Sequence, residues 1–234
     1  MTCLHGFLGL PSDWDVLPCT ADAHKVDWMP VLAGLPGKPL GPRLPDLAKA
    51  LNAQVPGGVL MGYSMGGRIA LHMLLAEGGE MWRSAIIVSA SPGLGSSAER
   101  LARFNADGLW ARRFRSEPWD SIVSAWNEQA VFATDNATPR ARHEFEFDRK
   151  RLALTLLRGS VGRQADLRED LAALHIPILW LAGERDAKYA ALARECATLS
   201  PRFRCEILPG AGHRAPWTSS SAFCEAIGSS RSHN

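Results

Sequence analysis

The sequence lacks a strong charge of either sign, paired cysteines and any long apolar run. Its 234 residues carry a net charge of only +2, which gives no reason to expect a nucleic-acid or membrane partner. No apolar stretch approaches the roughly 18 residues of a membrane span, and no basic-plus-apolar leader is present, so neither a span nor export is indicated. The five cysteines (Cys3, Cys19, Cys196, Cys205 and Cys224) are odd in number, scattered and without a C-x-x-C pair. That pattern predicts reduced thiols and a cytoplasmic location. H-E-x-x-H, a cysteine ligand cluster and G-x-x-x-x-G-K are all missing, so no metal or other cofactor is predicted. There is no internal repeat, and low complexity is confined to the polar tail from Ser229 to Asn234. Nothing in the sequence speaks to oligomeric state.

What is present is the composition of an ordinary globular protein, 46% apolar and 21% charged, long enough for one α/β domain with an insertion. Short apolar runs read as buried strands at Thr2–Leu4, His24–Trp28, Gly58–Met61, Ser84–Ser89, Ile176–Ala182 and Phe203–Leu208. Helical stretches alternate with them, which implies a mostly parallel sheet covered on both faces. The Pro- and Gly-rich region from Pro30 to Pro45 reads as loop. Between Ser97 and Leu174 the sequence turns charged, Trp-bearing and strand-free. The predicted organisation is therefore a core in two parts, residues 1–96 and 175–234, with a helical lid over 97–174 above the strands' carboxyl ends. From Arg100 to Arg163 there are twelve Lys/Arg against eight Asp/Glu. This excess suits either an anionic substrate or a solvated helical surface.

One heptapeptide carries more information than the rest, Gly62-Tyr63-Ser64-Met65-Gly66-Gly67-Arg68. Gly-x-Ser-x-Gly between a strand-like and a helix-like stretch is the nucleophile elbow of an α/β-hydrolase fold. The serine sits on a strained turn, so the positions two before and two after it must lack bulk. A serine hydroxyl needs an imidazole to take its proton, and the imidazole needs a carboxylate. In this fold the chain order is Ser, acid, His, and Ser64, Asp186 and His213 follow it. Asp186 ends the strand-following run Gly183-Glu184-Arg185-Asp186, where Glu184 is a rival acid. His213 ends Gly210-Ala211-Gly212-His213, and His24, His72, His143, His175 and His233 lie on strands, helices or the tail. His5-Gly6-Phe7 supplies an oxyanion hole, from the backbone N–H groups of Phe7 and Met65, with the His5 side chain structural.

Several further segments carry a resemblance. They are His5-Gly6-Phe7-Leu8-Gly9 with Trp14, the elbow through Arg68, Ser91-Pro92-Gly93-Leu94 and, in the lid, Ala98 to Trp110 and Phe114 to Phe132. With Gln164-x-x-Leu167-Arg168 and Gly183 to Lys188, they resemble the 2-succinyl-6-hydroxy-2,4-cyclohexadiene-1-carboxylate synthase family over nearly the whole chain. The resemblance implies a lyase on a hydrolase fold. It would eliminate pyruvate from a tricarboxylated cyclohexene in menaquinone biosynthesis, with the triad acting as a base. A small polycarboxylate substrate calls for guanidinium partners, and Arg68, Arg103 and Arg149 are the candidates, with Tyr63 and Trp126 lining the pocket. Tyr63 and Trp126 are equally ordinary as core residues. The sequence departs from the fold's usual pattern in front of His5, where two edge strands are expected and four residues stand. Two other readings remain open: a carboxylic-ester or thioester serine hydrolase with the same triad, and a non-catalytic binding member of the fold.

Overall fold

The computed structural model describes residues 1–38, 40–135 and 140–231, so Ser232, His233 and Asn234 of the polar tail lie outside the described residues. The strands are β1 (Thr2–Leu4), β2 (His24–Val26), β3 (Gly58–Tyr63), β4 (Trp82–Val88), β5 (Ile178–Gly183) and β6 (Phe203–Leu208). Among the described residues they form one six-stranded sheet in the order β2-β1-β3-β4-β5-β6, and every pairing is parallel. A parallel sheet is buried on both faces, so its strands read as continuous apolar runs. The side chains divide by alternation. Leu60, Ile87, Ile178 and Trp180 face one core with helices α1 (Trp28–Gly34), α2 (Leu44–Asn52) and α3 (Met65–Leu75). Met61, Ile86, Val88 and Leu181 face the other, closed by Trp14, Leu17, Phe223 and Ile227.

Between β4 and β5 the chain runs through α4 (Ser97–Ser116), α5 (Trp119–Asn127), α6 (Arg149–Arg158) and α7 (Arg168–Ala172). Ser96 starts α4 with a reciprocal cap: its hydroxyl accepts the Glu99 N–H at 3.1 Å, while the Glu99 carboxylate accepts the Ser96 N–H at 3.2 Å. Phe114 of α4 and Trp126 of α5 pack on Phe7, with ring centroids 5.5 and 4.9 Å away. The insertion therefore covers the loop that leaves β1. After β5 and β6 come α8 (Ala187–Ala197), α9 (Ala215–Thr218) and α10 (Ser220–Arg231).

Two expectations fail here. The stretch from Pro30 is not all loop, because Pro30 falls in the first turn of α1. A proline there loses no helical hydrogen bond, and Trp28, Met29 and Leu32 give the helix a buried face. The thiols are also not all reduced: Cys19 and Cys224 form a disulfide that ties the 3-10 turn Pro18–Thr20 to α10. Their separation of 205 residues hides the contact from any spacing rule. Among the described residues no helix is long and apolar enough to cross a membrane.

Thiol titration of the denatured, unreduced protein should count three groups, Cys3, Cys196 and Cys205, and five after reduction. A count of five without reductant overturns the bridge. His72 gives a second expectation. Burial, followed by the nearby Arg68 charge, lowers its imidazole pKa from 6.5 to about 4. The unfolded chain thus binds a proton below pH 6.5 that the folded one refuses until about pH 4. Stability is therefore full above pH 6.5 and falls through that window, by about 3 kcal/mol. Urea midpoints should fall less steeply with acidification in His72→Gln; parallel profiles would contradict the assignment.

Candidate active site

Ser64 stands between β3 and α3 with φ of +51°. A non-glycine residue there costs about 1–2 kcal/mol, so the surroundings must impose it. They do so by close packing. A Cβ on Gly62 would strike the Gly66 carbonyl, and one on Gly66 would strike the Leu4 and His5 carbonyls of the neighbouring strand end. Helix α3 is thereby held against β1 and β3, and the Ser64 N–H donates to the Val88 carbonyl at 2.8 Å. The serine side chain is left at the carboxyl edge of the sheet.

The partner residues arrive on the turns after β5 and β6. Asp186 is the N-cap of α8, where its carboxylate accepts the Tyr189 N–H at 3.5 Å. Gly183 lets the two turns touch, since a Cβ there would meet the Ala211 and Gly212 carbonyls. His213 Nδ1 lies 2.6 Å from Asp186 Oδ2, and His213 Nε2 lies 3.1 Å from Ser64 Oγ. With Nδ1–H donating to the carboxylate, Nε2 is the nitrogen free to accept the serine proton. Both His213 and Asp186 are buried. Glu184, the rival acid, instead accepts the Gly210 N–H at 2.8 Å and braces the histidine turn. His5 is also structural: its Nδ1 is 2.8 Å from the Gly6 carbonyl and its ring stacks on Trp28.

Ser64 opens into a cavity of about 490 Å³. Phe7, Tyr63, Trp126, Phe132 and Trp217 supply its apolar wall. Tyr63 and Phe132 also pack on the His213 ring, with centroids 5.6 and 5.5 Å away. Burial raises the Tyr63 phenol well above its ordinary pKa, so it remains a neutral hydroxyl. Phe7 lines the cavity together with Ser64, and Met65, the first residue of α3, follows Ser64 directly. Among the described residues no group of three or more His, Cys, Asp or Glu is placed to hold a metal ion.

The cationic wall is not the one the sequence suggested. Arg140, Arg142 and Arg214 line the cavity. Arg142 grips Asp13 through two bonds of 2.7 Å, and Arg140 reaches the same carboxylate at 3.3 Å. Burial pushes the Asp13 carboxyl up, but the Arg142 bond and charge, with smaller help from the Leu10 N–H and Arg140, hold it below the usual range. Arg214 is fixed by Asp135 at 3.3 Å and Asn127 at 2.5 Å, and lies 3.9 Å over the Phe132 ring.

Arg68, Arg103 and Arg149 do not line this cavity. Arg149 is a correction outright: it donates to the Phe114 and Glu117 carbonyls and pairs with Glu144, tying α6 to the end of α4. Arg103 is paired with buried Asp107 at 2.7 Å. Arg68 is buried on α3 and donates to the neutral Gln164 amide at 3.2 Å, and burial lowers its pKa to about 10. Charge excess was visible between Arg100 and Arg163. Which arginines turn inward was not, because Arg140 and Arg142 lie in irregular chain without periodicity, and Arg214 lies outside that segment.

Arg149→Ala should therefore destabilise the fold by about 1–3 kcal/mol through its stranded carbonyls. The rate at which a fluorophosphonate modifies Ser64 should stay within about twofold. His213→Ala should slow the same modification by about a thousandfold, as loss of the base requires. Equal labelling rates in the two variants would contradict the arrangement.

The matched family model is described as the alpha/beta hydrolase family and spans residues 3–226. A 2-succinyl-6-hydroxy-2,4-cyclohexadiene-1-carboxylate synthase from Salmonella paratyphi C is 34% identical over 224 residues, covering 91% of this chain and 85% of its own. The enzyme of the same name from Salmonella choleraesuis matches equally. Among solved structures, MenH from S. aureus superposes with a TM-score of 0.82 at 23% identity, over 97% of this chain and 90% of its own. An esterase from Exiguobacterium antarcticum reaches 0.71 at 18% identity, over 97% and 90%. With the elbow, the ordered Ser–Asp–His set and this identity over nine-tenths of its length, the chain belongs to the 2-succinyl-6-hydroxy-2,4-cyclohexadiene-1-carboxylate synthase family of α/β-hydrolases.

Proposed function

We propose that the protein is a lyase that eliminates pyruvate from 2-succinyl-5-enolpyruvyl-6-hydroxy-3-cyclohexene-1-carboxylate to give 2-succinyl-6-hydroxy-2,4-cyclohexadiene-1-carboxylate, in menaquinone biosynthesis. The observation that carries the reading is an activated serine facing a cavity walled by Arg140, Arg142 and Arg214. A neutral ester offers those cations no charge; a polycarboxylate offers anionic partners beyond Asp13 and Asp135, which already orient them. The 34% identical relatives are named for synthesis of the same product, which supports this reading.

In this mechanism His213 Nε2 draws the proton from Ser64 Oγ as that oxygen removes the acidic ring proton beside the succinyl ketone. The electron pair shifts through the ring double bond and expels the enolpyruvyl oxygen. One C–H and one C–O bond break, the diene forms, and the proton leaves with pyruvate enol. The change is redox-neutral, so the chemistry needs no cofactor. Asp186 stabilises the imidazolium, and the Phe7 and Met65 N–H groups hold the charge that develops on the ketone oxygen. Arg142, Arg140 and Arg214 bind the carboxylates, with buried Arg68 adding positive potential behind Ser64.

Incubation with the cyclohexene precursor should release pyruvate, and Ser64→Ala should slow release by about a thousandfold or more. Arg142→Ala should lower kcat/KM about 10- to 100-fold, the loss of a charged hydrogen-bond pair. Rapid turnover of short aryl esters with no pyruvate release would replace the lyase reading by a serine hydrolase.

A further inference from the structure

A second cavity, of about 330 Å³, lies between the start of α2, the far half of α3 and the segment from Arg158 to Asp170. It shares no lining residue with the Ser64 cavity. Its size is at the low end for small-molecule sites. Leu44, Leu75 and Leu167 make part of its wall apolar. Its charge is one-sided: Arg43, Arg158 and Arg163 face it, against the single carboxylate of Asp170.

Arg158 Nη1 donates to the Leu32 and Ala33 carbonyls at 2.6 and 3.0 Å, and Arg163 donates to the Pro42 and Leu40 carbonyls. Neutral carbonyls orient a guanidinium but leave its charge in place. Burial, then the Arg43 and Arg158 charges, lower the pKa of Arg163 against the opposing pull of Asp46. The wall also contains His72, 5% exposed, whose Nε2 is buried without a hydrogen-bond partner. With its proton on Nε2, a neutral imidazole beside clustered guanidiniums completes the donor set of an oxyanion site, and buried polar groups rarely go unpaired.

We propose that this cavity is a second, non-catalytic binding site for a small carboxylate with an apolar body. The carboxylate meets Arg43, Arg163 and His72, and the body lies on the leucines. Gln164, which also lines the cavity, accepts a bond from Arg68 and donates to the Ser91 carbonyl at 3.3 Å, so the site abuts the layer behind Ser64.

Calorimetric titration of the full chain at constant ionic strength, with benzoate, acetate and inorganic phosphate, tests the proposal. Benzoate should bind saturably and tighter than acetate or phosphate. Arg43→Gln, at an exposed position, and His72→Phe should each weaken it about tenfold. Arg142→Gln, in the Ser64 cavity, should leave it unchanged. Benzoate should also move the ring 15N signals of His72 in the wild-type protein. No saturable binding, equal or tighter binding of phosphate, loss of binding in Arg142→Gln alone, or an unmoved His72 signal would each overturn it. Should His72→Phe fail to fold, Arg43→Gln and the His72 signal still decide.

Discussion

The packing of helix α3 against the ends of β1 and β3 is the constraint on which the rest depends. Gly62 and Gly66 bring backbone within reach of backbone, closer than any Cβ permits. That approach holds Ser64 at a φ that an isolated serine avoids, a local cost the fold offsets by burial on both faces of the sheet. Once α3 is set, the serine hydroxyl, the Phe7 loop and the histidine turn have one geometry in which they meet. Gly183 repeats the device between the two turns that carry Asp186 and His213.

The insertion is joined to this core by charge as well as by aromatic packing. Asp13 of the core holds Arg142 and Arg140, and Arg214, next to His213, holds Asp135 and Asn127 of the insertion. These pairs cross sequence distances of 79 to 129 residues. Partly buried ion pairs add modest net stability, because desolvation consumes most of their attraction. Their consequence is orientation: they bring guanidiniums to the wall of the Ser64 cavity and fix the approach of the insertion to the histidine. The same residues thus close the cavity and line it with guanidinium groups.

Much of this was legible in the chain. The strands showed as continuous apolar runs because a parallel sheet buries both faces. The elbow showed because glycines are the only residues its turn admits. The Ser, Asp, His order showed because each lies just past a strand, and parallel strands end on one side. Helix α1 did not show, because Pro30 reads as a breaker unless the helix start is known. The Cys19–Cys224 bridge did not show, because the chain closes over 205 residues to make it.

By itself, then, the sequence determined the sheet, the elbow and the order in which serine, acid and histidine follow the strands, all of which follow from local rules of spacing and steric room. The tertiary structure alone decided which carboxylate serves the histidine and which arginines face the Ser64 cavity. Glu184 and Asp186 are two residues apart and chemically alike, and only the position of the turn directs one to the Gly210 amide and the other to His213. Arg68 and Arg149 carry the same group as Arg142, yet their neighbours bury one beside an amide and bind the other to carbonyls. An arginine's reach spans several directions, and its long side chain settles where packing and partners from distant parts of the chain allow.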